Sequence, residues 1–225
     1  MAAREWRAGH ERVCALVEQV AAERPDDLEL PVPATPDWSA RQLLAHMVGL
    51  GVDVLDGDEP DDHNESWTRA QVAARATSSA ADLVAEWRAV ADQLETYLRE
   101  QSPRPLGDLL IHEQDLRSGL GVPGARATDG LAAVRATMAD RVGVAVRGAG
   151  LAPLVLEQAD GPWRWTSGPG EPGLVLGASG FDLFRAVTSR RTAAQLHDYR
   201  VDGDLEPYLP HLALLGPLPT DALPE

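Results

Sequence analysis

The chain has 225 residues, and its 44% hydrophobic content is enough for one large domain or two small ones with a core. The formal net charge is −15 and all 20 basic residues are arginine, without the basic clusters that a duplex-binding surface needs, which argues against nucleic-acid partners. No run of about 18 apolar residues predicts a membrane span. No apolar signal region begins the chain, so a cytoplasmic location is expected.

The first helix is predicted over residues 4–24, where the apolar residues follow helical spacing until Pro25 ends the pattern. Cys14, the single cysteine, lies among apolar residues of this helix. It is therefore predicted to be a small buried hydrophobe and not a catalytic thiol. Residues 25–38 are rich in proline, which indicates an extended connection.

The second helix is predicted from about Ser39 to Leu55, because Ser39 and Gln42 have the spacing of a capping box. His46 lies on the face of this helix that is expected to be buried. That face is marked by Leu43, Met47, Leu50 and Val54. A lone histidine in such a position is usually a core residue satisfied by a hydrogen bond. The alternative is that it binds a metal ion.

Residues 67–75 and 80–100 are predicted to form one further helical segment. An acidic loop precedes it, whose polar cluster could bind a cation and consists of Asp58, Glu59, Asp61, Asp62 and His63. Polar clusters in open loops more often stay solvated, and we prefer that interpretation.

The segment on which the prediction of function depends starts at Asp108 and is expected to be one helix, bounded by Pro105 and Gly119. Asp108 and His112 are four residues apart, so they share one face of the helix. An isolated pattern of this kind is more often an exposed helix whose polar residues face water. Together with His46, however, these residues supply three N/O ligands with an open fourth position, which is typical of a catalytic zinc site.

Two further acidic residues of this helix have alternative interpretations. Glu113 lies within an apolar stripe and is predicted to pair with Arg117 four residues later, although it could instead point into an active-site cleft. Asp115 is a candidate catalytic residue, because a carboxylate there could orient a metal-bound histidine. The preferred interpretation of Asp115 is a structural pair with Arg117 or Arg41.

The chain becomes rich in glycine and proline after residue 121, which predicts two domains, at 1–121 and 128–217. The second is predicted to contain a helix, a small strand meander with an Asp160-Gly161 hairpin signal, and further helices. The helices are expected at 129–147, 180–190 and 205–215, and the strands at 154–158, 163–166 and 174–176. This arrangement is an α+β domain.

Two motifs together resemble the mycothiol-dependent maleylpyruvate isomerase family of actinobacteria. They are Trp38-Ser39 followed by Leu44-Ala45-His46, and then Asp108-x-x-x-His112-x-x-Asp115-x-Arg117. The resemblance implies a mixed fold class, in which an N-terminal DinB-like four-helix bundle is followed by a small α+β sterol-carrier-like domain. It also implies that His46, Asp108 and His112 bind a divalent metal ion, expected to be Zn²⁺. Asp108 stands where the family often has glutamate.

In the second domain, the segment that ends at Ser189-Arg190 is similar to the family's Gly-Arg helix end, with serine replacing the usual glycine. Arg190 is therefore a candidate clamp for a substrate carboxylate, because guanidinium binds carboxylates bidentately. The alternative is a helix-end cation favoured by the helix dipole. Trp38 is a candidate cosubstrate contact, although packing at the helix start is the preferred interpretation.

The resemblance implies a metal-dependent enzyme with mycothiol as its thiol cosubstrate, since the chain has no credible catalytic cysteine. The expected reaction is S-transfer to a small electrophilic substrate, or its cis–trans isomerisation, by a monomer or a homodimer. Two alternatives stay open. One is a metal-dependent hydrolase that uses zinc-bound water, and the other is a non-catalytic protein that binds a metal or a small molecule.

Overall fold

A computed structural model describes residues 1–60 and 64–225. The predicted acidic cluster includes Asp61, Asp62 and His63, which lie outside the described residues. The chain divides into two compact units, one formed by Met1–Gly124 with Pro224–Glu225 and the other by Ala125–Leu223. Within the described ranges, no helix combines the length and the apolar character that crossing a membrane requires.

The first unit is built mainly from helices. In chain order its described elements are α1 (Ala2–Glu23), a 3-10 helix (Pro25–Glu29), β1 (Pro31–Val32), β2 (Thr35–Ser39), α2 (Ala40–Asp56), α3 (Glu65–Ala74), α4 (Ala80–Glu100) and α5 (Arg104–Gly119). Helix α1 packs on α4 and α5, and α2 packs on α3, α4 and α5. The predicted N-terminal helix bundle is therefore confirmed.

Helix α2 begins and ends where local chemistry favours it. Ser39 and Gln42 form both hydrogen bonds of the predicted capping box. Gly57 ends the helix with φ +77°, in the left-handed region that glycine adopts without a steric penalty. The four apolar residues predicted to mark the buried face of α2 are buried, and His46 is buried with them.

Three local predictions in this unit were wrong. The single helical segment expected over residues 67–100 is two helices, because Ser79 and Asp82 form a capping box that starts α4 anew. The connection over residues 25–38 is not simply extended, since it contains the 3-10 helix and the β1–β2 pair. Pro105 does not precede α5 but lies in its first turn, where the missing N–H costs no hydrogen bond.

The second unit is an α+β domain, as predicted. Its described elements are α6 (Asp129–Gly148), β3 (Leu154–Gln158), β4 (Arg164–Thr166), β5 (Leu174–Ala178), α7 (Gly180–Val187), α8 (Ala193–His197), β6 (Arg200–Gly203) and a 3-10 helix (Glu206–Leu212). The sheet order is β4-β3-β5-β6, with β3 and β5 parallel and the other neighbours antiparallel. Helix α7 packs on β3, β5 and α6.

The ends of the second unit's elements differ from the prediction. The helix expected over 180–190 stops at Val187, and Ser189 adopts φ +61°, which a helix cannot continue through. The helix expected over 205–215 is a shorter 3-10 helix, because Pro210 cannot donate the backbone hydrogen bond that an α-helix needs. Two further elements, β6 and α8, were not predicted from the sequence.

Candidate metal centre

His46, Asp108 and His112 come together in the first unit. Helix α2 supplies His46, and α5 supplies the other two from one face. Each residue offers one ligand atom, and the three atoms lie within 4.8 Å of one another. Oδ1 of Asp108 is 3.3 Å from Nε2 of His46 and 3.5 Å from Nε2 of His112.

This donor set fits a divalent metal ion. Two ligands that each lie about 2.0–2.1 Å from a tetrahedral zinc ion are roughly 3.3–3.4 Å apart. The separations of Asp108 Oδ1 from the two histidine nitrogens, 3.3 and 3.5 Å, are close to that value. Three protein ligands also leave one position of a tetrahedral ion for a further molecule.

A hydrogen-bonded chain lies behind His46. Its Nδ1 is 2.7 Å from Oε1 of Gln71, and Nε2 of Gln71 donates to Oδ2 of Asp53 at 2.7 Å. His46 and Gln71 are each only 3% exposed. Neither Gln71 nor Asp53 was assigned a role from the sequence. The available signal was a polar residue four positions after Trp67, on the side of α3 that is buried.

His112 is oriented from within its own helix. Its Nδ1 lies 3.1 Å from Oδ2 of Asp115, whose side chain is fully buried. Both arginines named for the preferred structural pair have other partners, since Arg117 binds Glu113 and Arg41 binds Glu29. The geometry favours the alternative, in which Asp115 orients His112.

The charges of Asp108 and His112 reinforce each other. Burial tends to raise the pKa of Asp108, but the charges and hydrogen bonds of His112 and His46 outweigh it and hold that pKa below its usual range. Burial tends to lower the pKa of His112, but Asp108 and then Asp115 raise it to about 9. The site therefore combines a carboxylate that stays ionised with nitrogens that are fixed in direction.

Trp38 lies beside the centre. Its ring centroid is 5.1 Å from that of His46, with the planes tilted by 40°. The ring of His46 in turn meets that of His112 edge-on, at 5.1 Å between centroids. Trp38 is half-buried. Packing at the helix start and contact with a ligand are thus both compatible with its position.

Glu113 belongs to the packing of the bundle. Its side chain is fully buried and forms the predicted i+4 pair with Arg117, at 3.1 Å. Arg12 of α1 binds the same carboxylate through two nitrogens, at 2.8 and 2.7 Å. This bidentate contact joins α1 to α5 and supports the structural interpretation.

Cys14 is fully buried on α1, with its sulfur 3.6 Å from Nε2 of His10. Burial raises the pKa of this thiol to about 11. A thiol with such a pKa is almost entirely protonated at neutral pH, so it is a poor nucleophile. The predicted structural role of Cys14 is confirmed.

Arg190 lies in the second unit, beyond the end of α7. Its side chain is buried, and Nη1 donates to the backbone oxygen of Thr188 at 2.8 Å. Thr188 is the residue at which α7 ends. The contact fits the helix-end interpretation of Arg190, and the carboxylate clamp stays a prediction.

Comparison with known proteins supplies a second line of observation. Residues 6–129 match the family model described as the mycothiol maleylpyruvate isomerase N-terminal domain. A crystal structure of the mycothiol-dependent maleylpyruvate isomerase is similar with a TM-score of 0.54 at 18% identity, and a histidine-to-alanine mutant of mycothiol-dependent maleylpyruvate isomerase with 0.51 at 16%. Each similarity covers 84% of this chain and 88% of the other. A search among curated proteins gave no significant match.

Proposed function

Because the chain belongs to the mycothiol maleylpyruvate isomerase N-terminal domain family, a family of enzymes, we propose that it is a metal-dependent isomerase with mycothiol as its cosubstrate. The observation that carries the proposal is the convergence of His46, Asp108 and His112. The shared fold with a mycothiol-dependent maleylpyruvate isomerase supports a substrate of the same kind, a small electrophilic diacid.

In this proposal His46, Asp108 and His112 hold one divalent ion, expected to be zinc. A bound ion of this kind supplies positive charge that favours the thiolate form of a thiol beside it. Gln71 and Asp115, whose oxygens lie next to the Nδ1 atoms of the two histidines, would accept hydrogen bonds from them and leave each Nε2 free to bind the ion. Trp38 would border the cosubstrate, because its half-buried ring lies next to that of His46.

The thiol has to come from outside the chain. Cys14 is the single cysteine, and it is buried with a raised pKa. An exogenous thiol such as mycothiol is therefore required for any sulfur chemistry at this centre.

The proposed reaction needs only the substrate and the thiol, and the thiol is not consumed. The thiolate sulfur forms a bond to one carbon of an alkene that is conjugated to a carbonyl group. The electron pair of the alkene moves onto the carbonyl oxygen as an enolate, so the former double bond is single and rotates. When the enolate reforms the carbonyl group, the C–S bond breaks and the trans alkene and the thiolate are restored. Arg190 is proposed to bind a carboxylate of the substrate through its guanidinium. If the C–S bond persisted, the outcome would be S-transfer.

The experiment measures maleylpyruvate and its trans isomer by chromatography. The concentration of the remaining mycothiol is measured in the same samples. Zinc-loaded and chelator-treated protein are compared, each with and without mycothiol. We expect isomerisation only when both are present, with no net loss of thiol. Loss of thiol would indicate S-transfer, and metal-dependent turnover that needs no thiol would indicate a hydrolase.

Variants connect the activity to the residues. His46→Ala and His112→Ala are expected to lose bound metal and turnover together. His197→Ala is the matched control, because His197 is an exposed histidine of the second unit that pairs with Glu206. Full metal occupancy in both site variants would contradict the proposed ligands. Tight metal binding by the wild type without turnover of any thiol and electrophile would favour a binding protein.

A further inference from the structure

Gln71 is buried, and the oxygen and the NH₂ group of its side-chain amide contact different residues. Its NH₂ group donates to the carboxylate of Asp53, and its oxygen lies 2.7 Å from Nδ1 of His46. A carboxylate only accepts hydrogen bonds, so Asp53 determines which way round the amide sits. The amide oxygen can in turn accept only from a donor. Nδ1 of His46 must therefore carry a proton.

We infer that Asp53 and Gln71 act as a positioning relay, which holds His46 with a proton on Nδ1 and keeps its Nε2 turned toward Asp108. This inference rests on the proposed metal site. Metal affinity depends on such partners, because they set both the ring orientation and the nitrogen that is free to bind. Gln71 is thus a positioning residue that acts through His46.

The two proposed histidine ligands are oriented by different groups. His112 faces the carboxylate of Asp115 at 3.1 Å, within the same helix. His46 faces a neutral amide from another helix. A carboxylate makes an imidazole a more basic ligand than an amide does. The relay therefore fixes the direction of His46 without adding another negative charge next to the site.

The packing of α3 on α2 is built to bring Gln71 to this position. A Cβ atom added to Gly49 would lie 2.5 Å from Cβ of Gln71 and 2.9 Å from Nη1 of Arg75, so α2 needs a residue without a side chain there. Arg75 also connects α3 to α4. It binds the carboxylate of Glu86 at 2.7 Å and donates to the backbone oxygen of Gln71 at 3.3 Å.

The test observes the proton directly. In protein labelled with ¹⁵N-histidine, the wild type should show a slowly exchanging Nδ1–H on His46, both metal-free and zinc-loaded. Gln71→Leu should lose this signal and bind zinc roughly 10- to 100-fold more weakly. Gln71→Glu combined with Asp53→Asn keeps an acceptor opposite Nδ1 and a donor at position 53, so it should keep the signal. Asp53→Asn lets the amide turn round, so it should weaken the signal and reduce the affinity less than Gln71→Leu does.

Glu86→Gln is the control for a general loosening of α3, because it weakens the Arg75 contact and leaves Gln71 intact. It should lower stability while the Nδ1–H signal persists. A wild type without this proton overturns the relay, and so does a Gln71→Leu variant with unchanged signal and affinity. A wild type that binds no zinc would instead refute the proposed function, while the metal-free spectra still decide the inference.

Discussion

Oδ2 of Asp115 lies 3.1 Å from Nδ1 of His112, one helical turn away on α5. The carboxylate is fully buried, so the contact is shielded from water and salt. Of the two roles that the sequence allowed for Asp115, this geometry supports the one in which it orients a histidine.

Asp115→Asn is therefore expected to weaken zinc binding by roughly 10- to 100-fold, because an amide is a poorer acceptor and can present its NH₂ group instead. Competition with a chromophoric chelator would measure the affinity. Asp92→Asn, an exposed carboxylate on α4, should bind zinc as the wild type does. Equal affinities for both variants would show that Asp115 does not support the site.

Glu113→Gln tests the buried contact between α1 and α5. It leaves Arg12 and Arg117 without their shared carboxylate, and we expect the free energy of unfolding to fall by roughly 3 kcal/mol. Glu18→Gln breaks an exposed pair with Arg88 and should cost less than about 1 kcal/mol. Urea unfolding measures both. Unchanged stability with lost turnover would instead place Glu113 in the active site.

His10 predicts a pH dependence of stability. It stacks on Trp6 and meets Trp87 edge-on, and burial, with Arg7 and Arg88, lowers its pKa from 6.5 to about 4. Between these values the unfolded chain binds the proton and the folded chain does not. His10 therefore does not lower the free energy of unfolding above pH 6.5. Below that value the free energy of unfolding falls as the pH decreases toward 4, by roughly 3 kcal/mol in all.

The measurement is urea unfolding between pH 4.5 and 7.5 for the wild type and for His10→Phe, which keeps an aromatic ring between the two tryptophans. The variant should lose less stability over this range than the wild type does. Parallel curves for the two proteins would show that His10 is not the group responsible. A direct NMR titration of His10 provides an independent value of its pKa.

Arg190→Lys tests the proposed clamp. A lysine keeps the charge but cannot bind a carboxylate with two parallel hydrogen bonds. We expect KM for maleylpyruvate to rise roughly tenfold or more, as the loss of one charge-assisted bond would give. Metal content should not change, and Arg164→Lys, an exposed arginine of the same unit, should behave as the wild type. Unchanged KM with reduced stability would indicate that Arg190 has only a structural role, through its contact with Thr188.

The parts of the fold that could be predicted are those determined locally. The capping box at Ser39 and the apolar spacing of α2 depend on residues within one or two turns, and both were found. The break before α4 is equally local. Ser79 and Asp82 form a capping box whose spacing is visible in the sequence, but it was overlooked. Strand β6 is different, because a short strand at the edge of the sheet depends on β5 for its definition.

The same distinction applies to the candidate site. Asp108 and His112 share a helix face, so their proximity follows from helical spacing alone. The meeting of His46 with them was inferred from its position on the buried face of α2 and from the resemblance to a family, since it does not follow from helical spacing. Gln71 is 25 residues from His46 along the chain, and its contact exists because α3 packs closely on α2 at Gly49. No local pattern predicts a contact of that kind.

Because Cys14 is buried, the folded enzyme should add no signal of its own to an assay that measures thiol concentration. A disulfide reagent added to the folded protein should react with mycothiol and leave the chain untouched, since its single sulfur is enclosed on α1 and protonated. The modification rate of this same sulfur can then be used to follow opening of the helix bundle. Because α1 packs on α4 and α5, the rate at which reagent reaches Cys14 reports how often these helices separate.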